Sequence, residues 1–534
     1  MSARESIGEV LPVEHETIVD WLRNPRSFPE QTSNVQLIET HISQVFLTDH
    51  FVYKLKKSVR YDFLDFSTLA KREQACREEL RLNRRMSHDV YLDVWPITLE
   101  SSGTLQLNGS GRTVEWVVRM RRLPVERMLD ELIRCNRLTT DDMRHLTDYL
   151  VSYYAKADPL SVRSEDFHAA LVAHVMGNLQ GLLAATDVDV AQVRRVFTSQ
   201  LRLLKCQANL FYARSLEGRV IDGHGDLRPE HICLADPPVV FDCLEFNEDL
   251  RRVDVLDELS FLAMECDLLQ AKQVGDRVLE VYRQQSQDRP PRELIAFYKS
   301  YRATVRAKVA ALRAEQLEAQ AREAQRQLAK QYLDLADGYL REAGARPLLI
   351  CVAGLMGTGK STLARALAAE LGAEVLRTDE IRHELFPVRE QQESFGAGRY
   401  QAGSRARVYD ELLRRTHERL QAGVSIIVDA TFAQAEPREA ALQCGRASGA
   451  DVFLVECLCP REIALQRIES RRQQAIPDAS EARPDLYDLQ AAEWQQISNE
   501  IPHCQVETTL SLNDQLAKVF KELPCHFREY NDAL

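Results

Sequence analysis

The sequence runs to 534 residues, too long for one ordinary core, and predicts two or three domains. Hydrophobic residues make up 45% and charged residues 28%, the balance of a soluble globular protein. With 68 basic against 80 acidic residues the net charge is −12. That excludes a general nucleic-acid coat and an anionic-membrane binder, leaving room only for a local basic cleft.

The first residues, MSARESIGEVLPVEHETIVDWL, lack the basic start and apolar centre of a signal peptide, and no stretch is apolar enough to span a bilayer. The 12 cysteines are scattered, mostly in apolar runs such as LLICVAG and VFLVECLCP. Cys457 and Cys459 are too close for a zinc knuckle, so buried free thiols and a reduced, cytoplasmic setting are expected.

Residues 36–56 alternate and are rich in β-branched and aromatic side chains, with a turn signal at Thr48-Asp49-His50, which predicts a hairpin. A charged amphipathic helix follows over 67–87, then a second strand pair broken at NGSGR (108–112), then a mainly helical stretch over 126–215. His168 and His174 lie six apart there and read as ordinary helix histidines. An HGD turn at 224–226 leads to the short strand PVVFDCLEF and further helices to about residue 300. Residues 302–345, dominated by Ala, Arg, Gln, Glu and Leu, predict one exposed connecting helix and a domain boundary. Beyond Pro347, strands and helices alternate, the pattern of a parallel sheet covered on both faces.

GLMGTGKST (354–362) sits between an apolar strand and an apolar-periodic helix, the context a phosphate-binding loop needs. Gly354, Gly357 and Gly359 let backbone N–H groups curl around phosphate, with Thr358 and Thr362 in the same loop, and the helix start adds partial positive charge. Lys360 would neutralise the β and γ phosphates of ATP, and the Ser361 hydroxyl would help hold Mg²⁺. Asp379, opening a helix after a short strand, is placed to orient or deprotonate an acceptor hydroxyl, with Arg382 one turn on. Asp429 ends another buried strand and suits Mg²⁺ or the acceptor. Arg467, Arg471 and Arg472 share one helix; Arg471 and Arg472 are the candidates to close over the transferring phosphoryl group. On these motifs, residues 347–534 resemble the P-loop kinases of the AAA_33 and polynucleotide-kinase type. In such kinases the strand-end Asp and the following Arg act on the acceptor, and a lid helix supplies arginines.

The HGD turn has a second logic. Asp226 would accept a proton from a substrate hydroxyl, and Asp242 in VVFDCLEF would grip Mg²⁺ on the phosphates. Upstream, Lys54 in VYKLK and Glu78 or Glu79, with Glu79 the choice, complete the order of a protein-kinase-like site. HGDLRPEH, FDCLE and RRVDVLDELSFL resemble the aminoglycoside phosphotransferase family over about residues 30–310, most strongly at 224–260. The family's metal-binding Asn is His231 here, so the resemblance makes His231 the second metal contact. His224 would hold the loop by hydrogen bonds.

The expectation is therefore an α/β multidomain protein. A protein-kinase-like α+β domain spans 1–310, a helical linker 311–345, and a P-loop NTPase with a parallel sheet flanked by helices 346–534. Its function would be Mg-ATP-dependent phosphorylation of a small-molecule hydroxyl by one or both modules. Two alternatives stand beside it: a polynucleotide 5′-hydroxyl kinase activity of the C-terminal module, and a regulatory ATPase whose N-terminal module only senses a ligand. Oligomeric state is not expressed in the sequence.

Overall fold

The computed structural model describes residues 13–61, 64–386, 402–473 and 484–524. The chain divides into two compact units. The first comprises Met1–Ser161 and Gly218–Arg289, and the second Val162–Glu217 and Pro290–Leu534.

The first unit is built on an antiparallel six-stranded sheet. Its strands are β1 (Gln36–Glu39), β2 (Ser43–Leu47), β3 (Phe51–Lys56), β4 (Tyr91–Leu99), β5 (Leu105–Leu107) and β6 (Arg112–Arg121), in the order β1-β2-β3-β6-β4-β5. Helix α1 (Leu69–Asn83) follows β3 and opens at Thr68, whose hydroxyl accepts from the Lys71 amide. The hairpin signal at Thr48–His50 becomes the β2–β3 turn, and alternation in β3 sends Tyr53 and Leu55 into the core with Phe46, Ile97 and Val117. Lys54 and Lys56 occupy the other face of β3, also buried.

In the second unit five parallel strands form one sheet. These are β7 (Leu348–Ala353), β8 (Glu374–Arg377), β9 (Ile426–Asp429), β10 (Asp451–Leu458) and β11 (His503–Glu507), ordered β8-β9-β7-β10-β11. Every residue of β7 is buried. Leu348, Ile350 and Val352 pack on Leu363, Leu367 and Leu371, while Leu349 and Cys351 pack on Val408, Leu412 and Leu442, so both sheet faces are covered. Helix α2 (Lys360–Leu371) follows β7, α3 (Thr378–Leu385) follows β8, α4 (Ala402–Gln421) precedes β9, and α5 (Arg461–Gln473) follows β10. The final strand β11 and the helix Leu512–Glu522 after it went unread in the sequence.

The stretch expected as one exposed connecting helix is different. It breaks at residues 316–318 into the helices Arg292–Glu315 and Ala319–Glu342, which pack along one another within the second unit. Ala329, Tyr332, Leu333, Ala336 and Leu340, three to four residues apart, form a buried stripe on the later helix. Propensity gives the helix; packing sets where it stops.

Every described cysteine is a free thiol. Among the described residues no helix is long and apolar enough to cross a membrane.

Candidate active sites

The loop after β7 carries Gly354 at φ +145°, Gly357 at +76° and Gly359 at +88°, all in the region that excludes most side chains. A Cβ on Gly357 would stand 2.5 Å from the Ala464 carbonyl, so the close approach of α5 to the loop depends on glycine. The Thr358 hydroxyl donates to the Leu355 carbonyl (2.7 Å), pinning the turn from inside. Lys360 begins α2, and its Nζ donates to the same carbonyl at 2.7 Å. Burial pulls the Lys360 pKa below that of an ordinary lysine, against the opposing pull of Asp429.

A cavity of about 810 Å³ opens over this loop. It is lined by Gly357, Gly359, Lys360, Ser361 and Thr362, and also by Asp379, Arg382, Asp429 and Arg471. Candidates spread over more than a hundred residues of sequence thus share one space at the carboxyl ends of the strands, where open α/β sheets bind ligands. Gly354 and Thr358 shape the loop from behind rather than lining the cavity. Arg382 donates to Asp379 Oδ1 at 2.5 Å, as their spacing of three predicts. Arg471 bonds back to the Arg467 carbonyl (3.4 Å), and Arg467 reaches Thr508 Oγ1 (3.1 Å) and its carbonyl (2.7 Å). The Arg472 side chain lies outside the described residues.

Sequence reasoning missed Arg377. Its buried guanidinium ends β8 and donates to Asp429 Oδ2 (3.0 Å), the Ser361 hydroxyl (3.2 Å) and Glu380 (3.1 Å). An arginine closing the short strand EVLR, directly before the helix that carries Asp379, was the available signal. Through Arg377, a hydroxyl and a carboxylate are held within one guanidinium's span. Both are hard oxygen donors and suit Mg²⁺.

In the first unit a buried charge cluster lies between β3 and α1. Lys54 Nζ stands 2.8 Å from Glu79 Oε1 and 2.6 Å from Asp242 Oδ1. Lys56 Nζ meets Glu79 Oε2 at 2.7 Å and also bonds Glu245. Burial works to raise the Asp242 and Glu79 pKa values, but Lys54 at Asp242, and Lys54 with Lys56 at Glu79, oppose it and hold both below the usual carboxylate range. Asp242 adopts φ +63°, a left-handed conformation that Asp tolerates better than most residues. Glu78 points away, paired with Arg81 at 2.6 Å, so Glu79 is the helix residue that meets Lys54.

The HGD turn is braced from below. The Glu258 carboxylate accepts from the His224 and Gly225 amides, both at 2.7 Å, and from the Tyr154 hydroxyl at 3.0 Å. His224 Nε2 lies 2.9 Å from the Phe241 carbonyl and holds the loop as expected. Glu258 is 0% exposed. Replacing it by Gln would turn an amide N–H₂ or a lone oxygen toward two backbone donors. Glu258→Gln is therefore expected to cost about 2 kcal/mol, read as a lower denaturation midpoint.

His231 does not fit the metal role. Its Nδ1 lies 2.9 Å from the Asp226 carbonyl, so this nitrogen donates. The remaining lone pair on Nε2 faces Arg228 Nη2 at 3.2 Å and accepts from it. Arg228 also lies 3.0 Å from Asp226 Oδ1 and bonds Glu230. A metal at His231 would have to displace a guanidinium, and imidazole is a poor magnesium ligand in any case. Among the described residues no cluster of three or more His, Cys, Asp or Glu is arranged to hold a metal. Asp242 remains 3.6 Å from His231 Nε2, with its side chain partly open to solvent.

Comparison with known proteins bears on the second unit first. Residues 349–495 match the family model AAA_33, an AAA domain. Protein Rv2004c of Mycobacterium tuberculosis and protein Mb2027c of Mycobacterium bovis are each 31% identical to the chain over 444 residues. The match covers 82% of this chain and 86% of each relative, so it runs through both units. The chain belongs to their family. A sugar kinase of Janibacter sp. HTCC2649 aligns over 34% of this chain and 95% of its own, at 16% identity and a TM-score of 0.27.

Proposed function

We propose that the protein is an ATP-dependent phosphotransferase acting on a small-molecule hydroxyl. The observation that carries the reading is the single cavity in which Lys360 and Ser361 face Asp379, Arg382 and Asp429. Backbone amides at 357–361 and the start of α2 bind the phosphates, and Lys360 exchanges its bond to the Leu355 carbonyl for phosphate oxygen. Asp379, aimed by Arg382, accepts the proton of the acceptor hydroxyl as that oxygen bonds to the γ-phosphorus. Arg471 stabilises charge on the transferring group. A Mg²⁺ ion held by Ser361 and Asp429 would neutralise phosphate charge when bound.

The first unit is read as a second module, similar to aminoglycoside phosphotransferases. Lys54 fixed by Glu79 is its phosphate contact, Asp242 its metal carboxylate and Asp226 its base. One observation favours the regulatory alternative for this module: Arg228 and His231 bond one another beside Asp226. A reduced, cytoplasmic setting fits the buried free thiols.

ADP release by the full chain and its Lys360→Met and Asp226→Ala variants separates the readings. Two working modules predict that each variant removes part of the turnover. If Lys360→Met alone removes all of it, the first unit is not a kinase. Under the regulatory reading Asp226→Ala leaves turnover intact.

A further inference from the structure

The charges around the second unit's cavity are not evenly distributed. The loop strand β7 sits at the middle of the sheet, with β10 and β11 on one side and β9 and β8 on the other. On the β10/β11 side, the hydrogen-bond partners of Arg467 are the Thr508 hydroxyl and carbonyl and the Cys459 sulfur. Lys360, at the centre, bonds a backbone carbonyl. These cations bond groups that carry no charge, the condition for receiving polyphosphate.

The β8/β9 side differs. Arg382 is closed by Asp379 at 2.5 Å, Arg377 by Asp429 at 3.0 Å, and Arg405, on α4 beside α3, by Glu493 at 2.8 Å. Each of these arginines carries a carboxylate. Between them Thr431 and Gln434 offer uncharged hydrogen-bonding groups to the same space. An anionic acceptor entering here must displace a carboxylate from its guanidinium or lie against it, and either costs affinity. A neutral molecule rich in hydroxyls meets no such cost, because each ion pair presents donors and acceptors together.

We infer that this half of the cavity takes an uncharged, polyhydroxylated acceptor and rejects anionic ones through Asp379 and Glu493. The inference rests on the proposed phosphotransferase activity of this unit. In the reaction, the acceptor oxygen bonds to the γ-phosphorus, the bond to the β–γ bridging oxygen breaks, and ADP leaves. The hydroxyl proton passes to Asp379. Glu493 is a positioning residue that keeps Arg405 from recruiting anions.

The test uses the full chain and matched probes that differ only in a terminal hydroxymethyl or carboxylate: glucitol against gluconate, and ribitol against ribonate, with a 5′-hydroxyl oligothymidylate beside them. ADP release should show higher kcat/KM for the neutral member of a pair. Glu493→Gln should raise the anionic-to-neutral ratio of kcat/KM about tenfold, mainly through KM for the anion. Preference for the carboxylate or the oligonucleotide overturns the inference, as does an unchanged ratio in Glu493→Gln. Should no probe be phosphorylated, sulfate titrated into ADP-loaded protein decides: saturable binding that Arg405→Gln abolishes overturns it, and absence of such binding supports it. Failure of ATP itself to bind in a Lys360-dependent way would instead remove the phosphotransferase reading beneath it.

Discussion

Replacing Lys360 by Met is expected to lower ATP turnover by the second unit about a thousandfold, the loss typical when one preorganised charge on a transition state is removed. The residue stands where α2 begins, with its ammonium turned to a loop carbonyl 2.7 Å away and Asp429 among the charges acting on it. The fold should not suffer. Because burial lowers the folded pKa of Lys360 below its unfolded value, the ionised side chain opposes folding at neutral pH, and methionine removes that cost. Thermal unfolding should therefore show an equal or higher midpoint without nucleotide, together with loss of the ATP-dependent rise. In the parent protein that rise corresponds to about 2.7 kcal/mol at a hundredfold excess over Kd. A variant that keeps both turnover and ATP-dependent stabilisation would place nucleotide binding elsewhere. Turnover that persists in Lys360→Met and vanishes on adding Asp226→Ala would belong to the first unit.

What the sequence made legible follows from how far each constraint reaches along the chain. The phosphate loop is local: three glycines, a lysine and a hydroxyl within nine residues, flanked by a strand and a helix whose periods are plain. Asp379, Arg382 and Asp429 were also readable, because a parallel sheet delivers strand-end residues to one edge whatever lies between them. Arg377 was not. Its meaning lies in contacts with Ser361, 16 residues away, and Asp429, 52 residues away, and nothing in EVLR fixes either. Lys56 shows the same limit. The pattern of a kinase-like site points to one lysine on the strand, Lys54, and gives no reason to pair a second with Glu245 from 189 residues downstream. His231 failed for another reason. Replacement of the expected Asn is visible in the sequence, but the arrival of Arg228 against its ring is a matter of side-chain geometry three residues back. The broken helix at 316–318 belongs with these, since local propensity favours its continuation and tertiary packing ends it.

Lys56→Met is expected to destabilise the first unit by about 3–5 kcal/mol, a large share of a domain's stability. Lys56 has a fully buried side chain between two carboxylates that are themselves 0% and 4% exposed, so its loss leaves Glu245 unpaired and Glu79 with Lys54 alone. Lys54 lies at the edge of the same cluster, beside a partly exposed Asp242 that water can solvate, so Lys54→Met should cost less. The acid limb discriminates further. Burial raises the Glu79 pKa and the two lysines lower it by more, leaving it below 4.5 in the folded protein. A depressed carboxylate contributes stability that is complete above its unfolded pKa, near 4.5, and is lost as pH falls through the lower folded value. With Lys56 gone the depression shrinks, so less stability is left for acid to remove and the first unit should depend less on pH. Of the four tryptophans, Trp21, Trp95 and Trp116 lie in the first unit and Trp494 in the second, so a Trp494→Phe background reports the first unit by fluorescence. Denaturant midpoints taken between about pH 3 and 7 should start lower in Lys56→Met and fall by less on acidification than in its parent. Parallel curves, or a loss below about 1 kcal/mol at neutral pH, would mean that the cluster is hydrated and that Lys56 does not hold Glu79 in place for Lys54.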